Sequence, residues 1–149
     1  PTGLAYDAEN NLIYATAGFY IFQYDLGNLN PEVTTNTNYV MDSDNCTLAG
    51  AVCIDGGVYT IGNDLYNSIP QMMHYPDKYL GERSVVLSGF DISLVDGATD
   101  FSYDPSCDLF YLTDAGNNIY TMDWDGNVQP VDILGGGIDL NGLAIIPAE

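Results

Sequence analysis

The sequence predicts an all-β fold built from repeated four-stranded sheets, and three observations support this prediction. Among the acidic residues Asp outnumbers Glu by 17 to 4, and Asp favours turns whereas Glu favours helix interiors. No window of the sequence places apolar residues at the helical spacing of i, i+3, i+4 and i+7. Instead, short runs of Tyr, Ile, Val and Thr are separated by Gly, Asn and Asp every eight to twelve residues, as expected of many short strands.

The predicted inner strand of each repeat is a short segment that recurs along the chain. Its copies are residues 3–7, 51–55, 100–104 and 142–146. In each copy a large apolar residue precedes a small one. These small residues recur at steps of 48, 49 and 42 positions, and they are Ala5, Cys53, Ser102 and Ala144. We therefore expect the four segments to occupy matching places in successive repeats.

Three further strands per repeat follow from weaker alignments. The second strand aligns residues 12–16 with 109–113 and, more loosely, with 58–60. The third aligns residues 21–25 with 119–123, and residues 65–68 are a weak equivalent in the middle repeat. The fourth is predicted at residues 33–35, 85–87 and 131–133. Four strands in roughly 45 residues are typical of a β-propeller blade.

These repeats predict a single β-repeat domain over residues 1–149, with blades at residues 1–47, 48–97 and 98–141 and a further strand beginning at 142–149. Propellers normally close with four to eight blades, so three blades leave the ring open. The chain is then a partial propeller from a longer protein, or a homo-oligomer completes the ring. A β-trefoil is the alternative fold, because its length and threefold repeat also fit.

The repeats at residues 3–25 and 101–123 resemble the blades of β-propeller proteins, among them the NHL, YWTD and SMP-30-like groups and secreted bacterial propellers with a "GLAYD…LY…IY" pattern. The resemblance covers nearly the whole chain and is weakest in the middle repeat. It implies the architecture only, because such propellers serve as protein-binding modules, glycan binders, hydrolases and lyases.

The composition supports a folded domain and argues against several partners. Hydrophobic residues make up 46% of the chain, which is enough for a core. The net charge of −19 would repel nucleic acid and anionic lipid. No run of 18 apolar residues supports membrane insertion, and no signal peptide is visible. The scarcity of Lys with abundant Asp, Asn, Thr and Tyr favours an exported protein, although halophilic adaptation also explains the acid.

Three equivalent carboxylates are candidate ligands for a Ca²⁺ ion. Asp7, Asp55 and Asp104 follow the three predicted inner strands, and converging carboxylate oxygens suit this cation. The alternative is that each Asp accepts backbone N–H groups of the turn that follows it. No other cofactor is indicated. The segment at residues 123–127 lacks the spacing of an EF-hand loop and is better explained by an Asp-Gly hairpin turn.

The middle repeat carries an apparent insertion at residues 71–83, which holds the only His, Lys and Arg of the chain. Long loops on rigid β scaffolds often bind partners, and Met and aromatic residues add an adaptable contact surface. We expect a binding surface at this insertion. Trp124, which lies outside the repeat alignment, is a further candidate contact residue. The predicted contact residues are His74, Tyr75, Lys78, Tyr79, Arg83 and Trp124. The alternative is a surface loop packed against the blade.

The sequence contains no recognisable catalytic constellation. Nucleophile elbows, phosphate-binding loops and zinc-binding motifs are absent, and one His limits base catalysis. Three cysteines, Cys46, Cys53 and Cys107, allow one disulfide at most, and a buried free thiol is expected at Cys53.

The sequence thus predicts a non-catalytic extracellular or cell-surface module that binds a protein or glycan. A carbohydrate-active hydrolase or lyase with paired carboxylates is one alternative, and a self-assembling filament or surface-layer subunit is another.

Overall fold

The computed structural model describes residues 3–28, 37–41, 46–64, 69–76, 83–89, 98–114 and 118–131, which form three antiparallel four-stranded sheets. Each sheet is built from consecutive strands in chain order. The sheets pack face to face, with the first strands of neighbouring sheets in contact. This is the architecture of a partial β-propeller of three blades, as the sequence predicts.

Blade 1 contains β1 (Gly3–Asp7), β2 (Leu12–Ala17), β3 (Tyr20–Asp25) and β4 (Thr37–Met41), and a short 3-10 helix at Leu26–Asn28 follows β3. Blade 2 contains β5 (Cys46–Ile54), β6 (Gly57–Asp64), β7 (Ile69–Tyr75) and β8 (Ser84–Ser88). Blade 3 contains β9 (Ala98–Asp104), β10 (Leu109–Asp114), β11 (Ile119–Met122) and β12 (Val128–Val131).

Three separate sheets are not the strand arrangement of a β-trefoil, so that alternative is wrong. Blade 3 reproduces the predicted register of blade 1, because Ala5 pairs with Tyr14 as Ser102 pairs with Tyr111. The described fourth strands of blades 1 and 3 are Thr37–Met41 and Val128–Val131, and the predicted residues 33–35 and 132–133 lie outside the described residues. The predicted copy at residues 142–146 and the weak strand at 65–68 lie outside the described residues.

The predicted insertion at residues 71–83 is partly wrong, because its first five residues belong to β7. Gln71 to Tyr75 pair with β6 along their whole length. Met72 and Met73 are both fully buried, since blade 2 lies between the other two blades and each methionine faces a different neighbour. A strand buried on both faces loses the apolar–polar alternation by which strands are found in a sequence.

Each blade has two faces, which we name by the neighbour they point toward. The preceding face points toward the earlier blade in the chain, and the following face points toward the later one. Between blades 1 and 2, the following face of blade 1 buries Tyr14 and Ile21 against Val58, Met73 and Tyr75 of the preceding face of blade 2. Between blades 2 and 3, Val52, Ile61 and Met72 pack against the preceding face of blade 3, whose buried residues are Phe101, Phe110, Leu112, Tyr120 and Met122.

The inner strands approach each other closely where two glycines lie. A side chain at Gly3 would place its Cβ 2.5 Å from the Cα of Gly50, and one at Gly50 would lie 2.6 Å from the backbone nitrogen of Phe101. Contacts of this length are not tolerated, so only glycine allows the strands to pack this tightly. Because both glycines point to the next inner strand, Gly3 is equivalent to Gly50.

This equivalence shifts the middle repeat by one residue relative to the sequence alignment. Val52 pairs with Tyr59 as Ala5 pairs with Tyr14, and both pairs lie on following faces. Cys53 instead lies on the preceding face, packed against the blade 1–blade 2 core. The predicted matching of Cys53 with Ala5 and Ser102 is therefore wrong. Its physical cause is the β5–β6 turn, which has two residues where the β1–β2 and β9–β10 turns have four.

Aspartates at strand ends hold the turns. The carboxylate of each accepts a backbone N–H from a residue two to four positions later, at 2.8–3.1 Å, and these aspartates are Asp7, Asp25, Asp104, Asp114 and Asp123. Such Asx turns replace backbone hydrogen bonds that the ladder cannot supply. The predicted hairpin turn after β11 is confirmed, with Gly126 at a φ of 82° and its N–H bonded to the carbonyl of Asp123.

Candidate functional site

A group of half-buried aromatic side chains lies where blades 2 and 3 meet at their turns. We call it the aromatic rim and define it as Tyr59, His74, Tyr103 and Trp124. Tyr59 and His74 are neighbours on paired strands β6 and β7, and Tyr103 lies on β9. Trp124 lies in the turn between β11 and β12. Two blades therefore contribute to one surface.

The rings of the aromatic rim contact one another in defined geometries. Tyr59 stacks on His74 with ring centroids 4.3 Å apart. Trp124 makes T-shaped contacts with Tyr59 and Tyr103, with ring centroids 5.5 Å and 6.0 Å apart. Below the rim, Phe110 is fully buried and lies 4.6 Å from the Trp124 ring. Edge-to-face and offset contacts of this kind add to the stabilisation from buried area, so the rim is anchored in the core.

Asp108 joins two members of the rim through one carboxylate oxygen. The Tyr103 hydroxyl and the Trp124 indole N–H both donate to Oδ1 of Asp108 at 2.6 Å. Asp108 has a φ of 58°, a left-handed conformation that Asp tolerates better than most residues. The turn conformation therefore aims an exposed carboxylate at two aromatic side chains and fixes their orientation.

The electrostatics of the rim favour charged carboxylates beside neutral rings. The hydrogen bond from Tyr103, with a second from Trp124, lowers the pKa of Asp108. The same bond to Asp108 raises the pKa of Tyr103. Burial, together with the charge of Asp55, raises the pKa of Tyr59. Burial lowers the pKa of His74, so at neutral pH the imidazole is uncharged.

The predicted binding residues separate into three groups. His74 and Trp124 lie together, because both contact Tyr59. Arg83 directly precedes Ser84, the residue of β8 that pairs with His74, so its backbone is close to the rim. Tyr75 points to the opposite side of β7 and is fully buried in the blade 1–blade 2 core, so it is not available to a partner. Lys78 and Tyr79 lie outside the described residues.

The proposed Ca²⁺ ligands do not converge. Within the described residues, no three His, Cys, Asp or Glu side chains form a group suited to a metal ion. Asp7 accepts hydrogen bonds from the backbone of Glu9 and Asn10, and Asp104 accepts them from Ser106. Asp55 lies in the β5–β6 turn with a φ of 49°. The contacts of Asp7 and Asp104 match the alternative in which these carboxylates hold their turns.

Both cysteines whose side chains are described are free thiols. Cys53 is half-buried, and burial, with the nearby charge of Asp7, raises its pKa to about 12. The thiol is therefore protonated and unreactive at neutral pH. Cys107 is exposed in the β9–β10 turn. The expected free thiol at Cys53 is confirmed, whereas the side chain of Cys46 lies outside the described part of the chain.

Sequence reasoning missed Tyr59 and Tyr103 because they lie at aligned strand positions, which predict core, and it did not single out Asp108, which lies in the β9–β10 turn. One local signal was present. Tyr6 donates its hydroxyl to Asn11, five residues later, as Tyr103 does to Asp108. Both acceptors have a positive φ at the last position of a four-residue turn. A Tyr followed at this distance by Asn or Asp, before the second strand of a blade, therefore marks this rim position.

No known family model matches the chain, and no curated protein matches it. The chain is similar to a solved structure described as the WD40 β-propeller domain of Doa1, at 15% identity and a TM-score of 0.46. The similarity covers 85% of this chain and 38% of that chain. The finer resemblance to the NHL, YWTD and SMP-30-like groups stays a prediction.

Among the described residues, no apolar helix has the length needed to span a bilayer.

Proposed function

We propose that the protein is a non-catalytic interaction module, acting outside the cell or at its surface, and that the aromatic rim is its contact surface for a protein or glycan partner. The observation that carries this proposal is the shared hydrogen bonding of Tyr103 and Trp124 to Asp108 on an exposed edge. It holds aromatic faces and a carboxylate in a fixed arrangement before any partner arrives, which lowers the entropic cost of binding.

The chemistry of the rim favours a protein partner that presents Arg or Lys. A guanidinium or ammonium group can stack on Tyr and Trp faces while it pairs with a carboxylate. Asp55 and Asp108 supply that charge, because Asp55 lies close enough to Tyr59 to affect its pKa and Asp108 bonds Tyr103 and Trp124, and the net charge of −19 attracts a basic partner over a longer range. A neutral glycan would use the same rings and the same acceptors without this attraction.

Trp124 is the only tryptophan of the chain, so its fluorescence reports directly on the rim. We expect a saturable change in Trp124 emission on titration with Arg-containing model peptides at low salt, weakening as ionic strength rises. A panel of neutral oligosaccharides, titrated in parallel, tests the glycan arm, for which the response would not depend on salt. A chain that responds to neither class would contradict the proposal.

Matched variants separate the rim from the general charge of the protein. Asp108→Asn removes one charge while keeping an acceptor, and we expect at least about tenfold weaker peptide binding, equivalent to about 1.4 kcal/mol. Asp25→Asn removes the same charge from a turn of blade 1 and serves as the control. Equal losses in both variants would show that binding follows net charge alone and not the rim.

Neither alternative function is favoured by a described contact. The strand-end aspartates are engaged by the backbone of their own turns, which leaves those carboxylates poorly placed as an acid–base pair. A glycosidase or lyase therefore stays a prediction, and release of reducing sugar from a polysaccharide panel would support it. A self-assembling filament or surface-layer subunit also stays a prediction, and a concentration-dependent increase in light scattering would support it.

A further inference from the structure

The turns of blade 3 that form the aromatic rim differ from the equivalent turns of blade 1 at two positions. Asp108 and Asn11 each end the turn between the first two strands, with a φ of 58° and 56°. Trp124 and Leu26 each follow the aspartate whose carboxylate holds the turn after the third strand. Blade 3 therefore has a carboxylate and an indole where blade 1 has a carboxamide and an aliphatic side chain.

The two polar donors beside Asp108 are already used within the rim. The Tyr103 hydroxyl and the Trp124 indole N–H both donate to Oδ1 of Asp108 at 2.6 Å. A phenol has one O–H and an indole has one N–H, so neither group has a donor left for a partner. Among the described residues, no group donates to Oδ2 of Asp108. The rim therefore presents an exposed, charged acceptor beside aromatic rings whose own donors are satisfied.

A second carboxylate lies close to the same rings. Asp55 is exposed in the β5–β6 turn, at the end of blade 2 that meets blade 3. Besides the burial of Tyr59 and the Asp108 bond of Tyr103, the negative charge of Asp55 raises the pKa of both phenols. Asp55 is therefore within electrostatic range of both blades. The surface is rich in acceptors and negative charge, and a ligand that suits it brings donors and positive charge.

Hydrogen-bond chemistry separates the ligands that can meet these requirements. A sugar hydroxyl both donates and accepts, so part of its capacity finds no donor beside Asp108. A Lys ammonium donates only, but it is a compact and strongly hydrated point charge. An Arg guanidinium has five N–H donors and no acceptor, is weakly hydrated, and stacks its plane on aromatic faces. The guanidinium therefore matches both the carboxylates and the rings.

We propose that the aromatic rim selects an arginine side chain of its partner, whose guanidinium donates to Oδ2 of Asp108 and lies against the rings of the rim. The inference rests on the proposed binding at the rim and narrows the partner to one residue type. Because recognition depends on N–H donors, methylation of that arginine, which keeps its charge but removes donors, weakens the contact.

The test is titration of the full chain with three acetylated and amidated Gly-X-Gly peptides at low salt, followed by Trp124 fluorescence. X is arginine, lysine or symmetric dimethylarginine, so the three peptides carry the same charge and their long-range attraction is matched. We expect the arginine peptide to bind at least about tenfold more tightly than either of the others, because a hydrogen bond to a charged group is worth roughly that factor.

The outcomes separate this inference from the proposed function. Equal affinities for the arginine and lysine peptides would overturn the selection of arginine but leave the rim as a contact surface. A dimethylarginine peptide that binds as tightly as the arginine peptide would overturn recognition through N–H donors. No response to any peptide would overturn the inference, and the oligosaccharide panel then decides whether the rim binds at all.

Asp108→Asn tests whether the selection depends on this carboxylate. Asn11 shows that a carboxamide suits the turn, because Tyr6 donates to its Oδ1 as Tyr103 does to Asp108. The variant is therefore expected to fold, but an NH₂ donor replaces the oxygen that faces the partner, and the preference for arginine over lysine should disappear. Asp25→Asn removes the same charge from a blade 1 turn and should keep the preference. Full preference in Asp108→Asn would overturn the proposal.

Discussion

The preceding faces of blades 1 and 3 carry similar residues at equivalent positions in different surroundings. In blade 3, Phe101 and Met122 are buried against blade 2, and Tyr103 shares Asp108 with Trp124. In blade 1, Leu4 and the tyrosines at the equivalent positions face outward. The difference is the presence of a neighbouring blade. Burial in a repeat protein is therefore decided by which repeats are adjacent, and the apolar pattern of one repeat does not by itself define its core.

The largest effect is expected from truncating the buried member of one equivalent pair. Phe101→Ala removes a ring that stacks on Phe110 at 5.3 Å and should lower the free energy of unfolding by about 3–5 kcal/mol. Leu4→Ala, at the equivalent exposed position, should change it by less than about 0.5 kcal/mol. Chemical denaturation measures the free energy of unfolding of both variants. Similar losses would mean that the blade 1 face is covered within the monomer.

The thiols offer a second comparison on the same face, because Cys53 is the blade 2 equivalent of the exposed Tyr6. A Cys46→Ser background leaves Cys53 and Cys107. With a pKa of about 12 against an ordinary 9.0, Cys53 should react with iodoacetamide at neutral pH roughly a thousandfold more slowly than an unperturbed thiol. Cys107 should react fast. Mass spectrometry over time separates the two sites.

The same pKa shift has a consequence for stability. The folded protein holds the Cys53 proton more tightly than the unfolded chain, so the stabilisation is complete below pH 9 and is lost as the pH rises toward 12. A Cys53→Ala variant should lose less stability over this alkaline range. Rapid labelling of both thiols in folded protein would show that blade 1 does not cover this position.

The smallest change in the free energy of unfolding is expected for a substitution at Thr60, and we expect it to stabilise the protein. Thr60 is fully buried on the preceding face of blade 2, and its hydroxyl has no hydrogen-bond partner among the described residues. The equivalent positions carry Ala15 and Leu112, so Thr60→Val should stabilise the protein by about 1 kcal/mol. Thr16→Val is the control, because that buried hydroxyl is engaged, and it should not stabilise. Thermal unfolding of both variants decides the point.

The sequence was sufficient to predict the repeated four-stranded units, whereas it offered the role of the strand-end aspartates in their turns only as the alternative to a Ca²⁺ site. It was insufficient in blade 2. The shorter β5–β6 turn shifts the register by one residue, so that Val52 is equivalent to Ala5. The alignment chose Cys53 instead because its side chain is small, like that of Ala5. Both faces of the middle blade are covered, so β7 carries adjacent buried residues such as Met72 and Met73. It therefore lacks the apolar–polar alternation of a strand and was predicted to be an insertion.

The candidate site was harder to predict than the fold because it is assembled from two blades. His74 and Trp124 were found through their rarity in the sequence, which is independent of structure. Tyr59 and Tyr103 become neighbours only when the following face of blade 2 meets the preceding face of blade 3. A single sequence gives the faces of a strand but not the partner of each face, so the rim could not be derived from it.

The aspartates that accept backbone N–H groups at the strand ends have a consequence for acid tolerance. Hydrogen bonds lower the pKa of Asp104 and Asp123, so their contribution to stability is lost as the pH falls through these depressed values. The strand-end aspartates thus both contribute to the negative charge that keeps chains apart and hold the turns of the fold. Protonation of these carboxylates in acid would reduce the electrostatic repulsion between chains and would also weaken the hydrogen bonds that hold the turns. We therefore expect this protein to aggregate in acid rather than only to unfold.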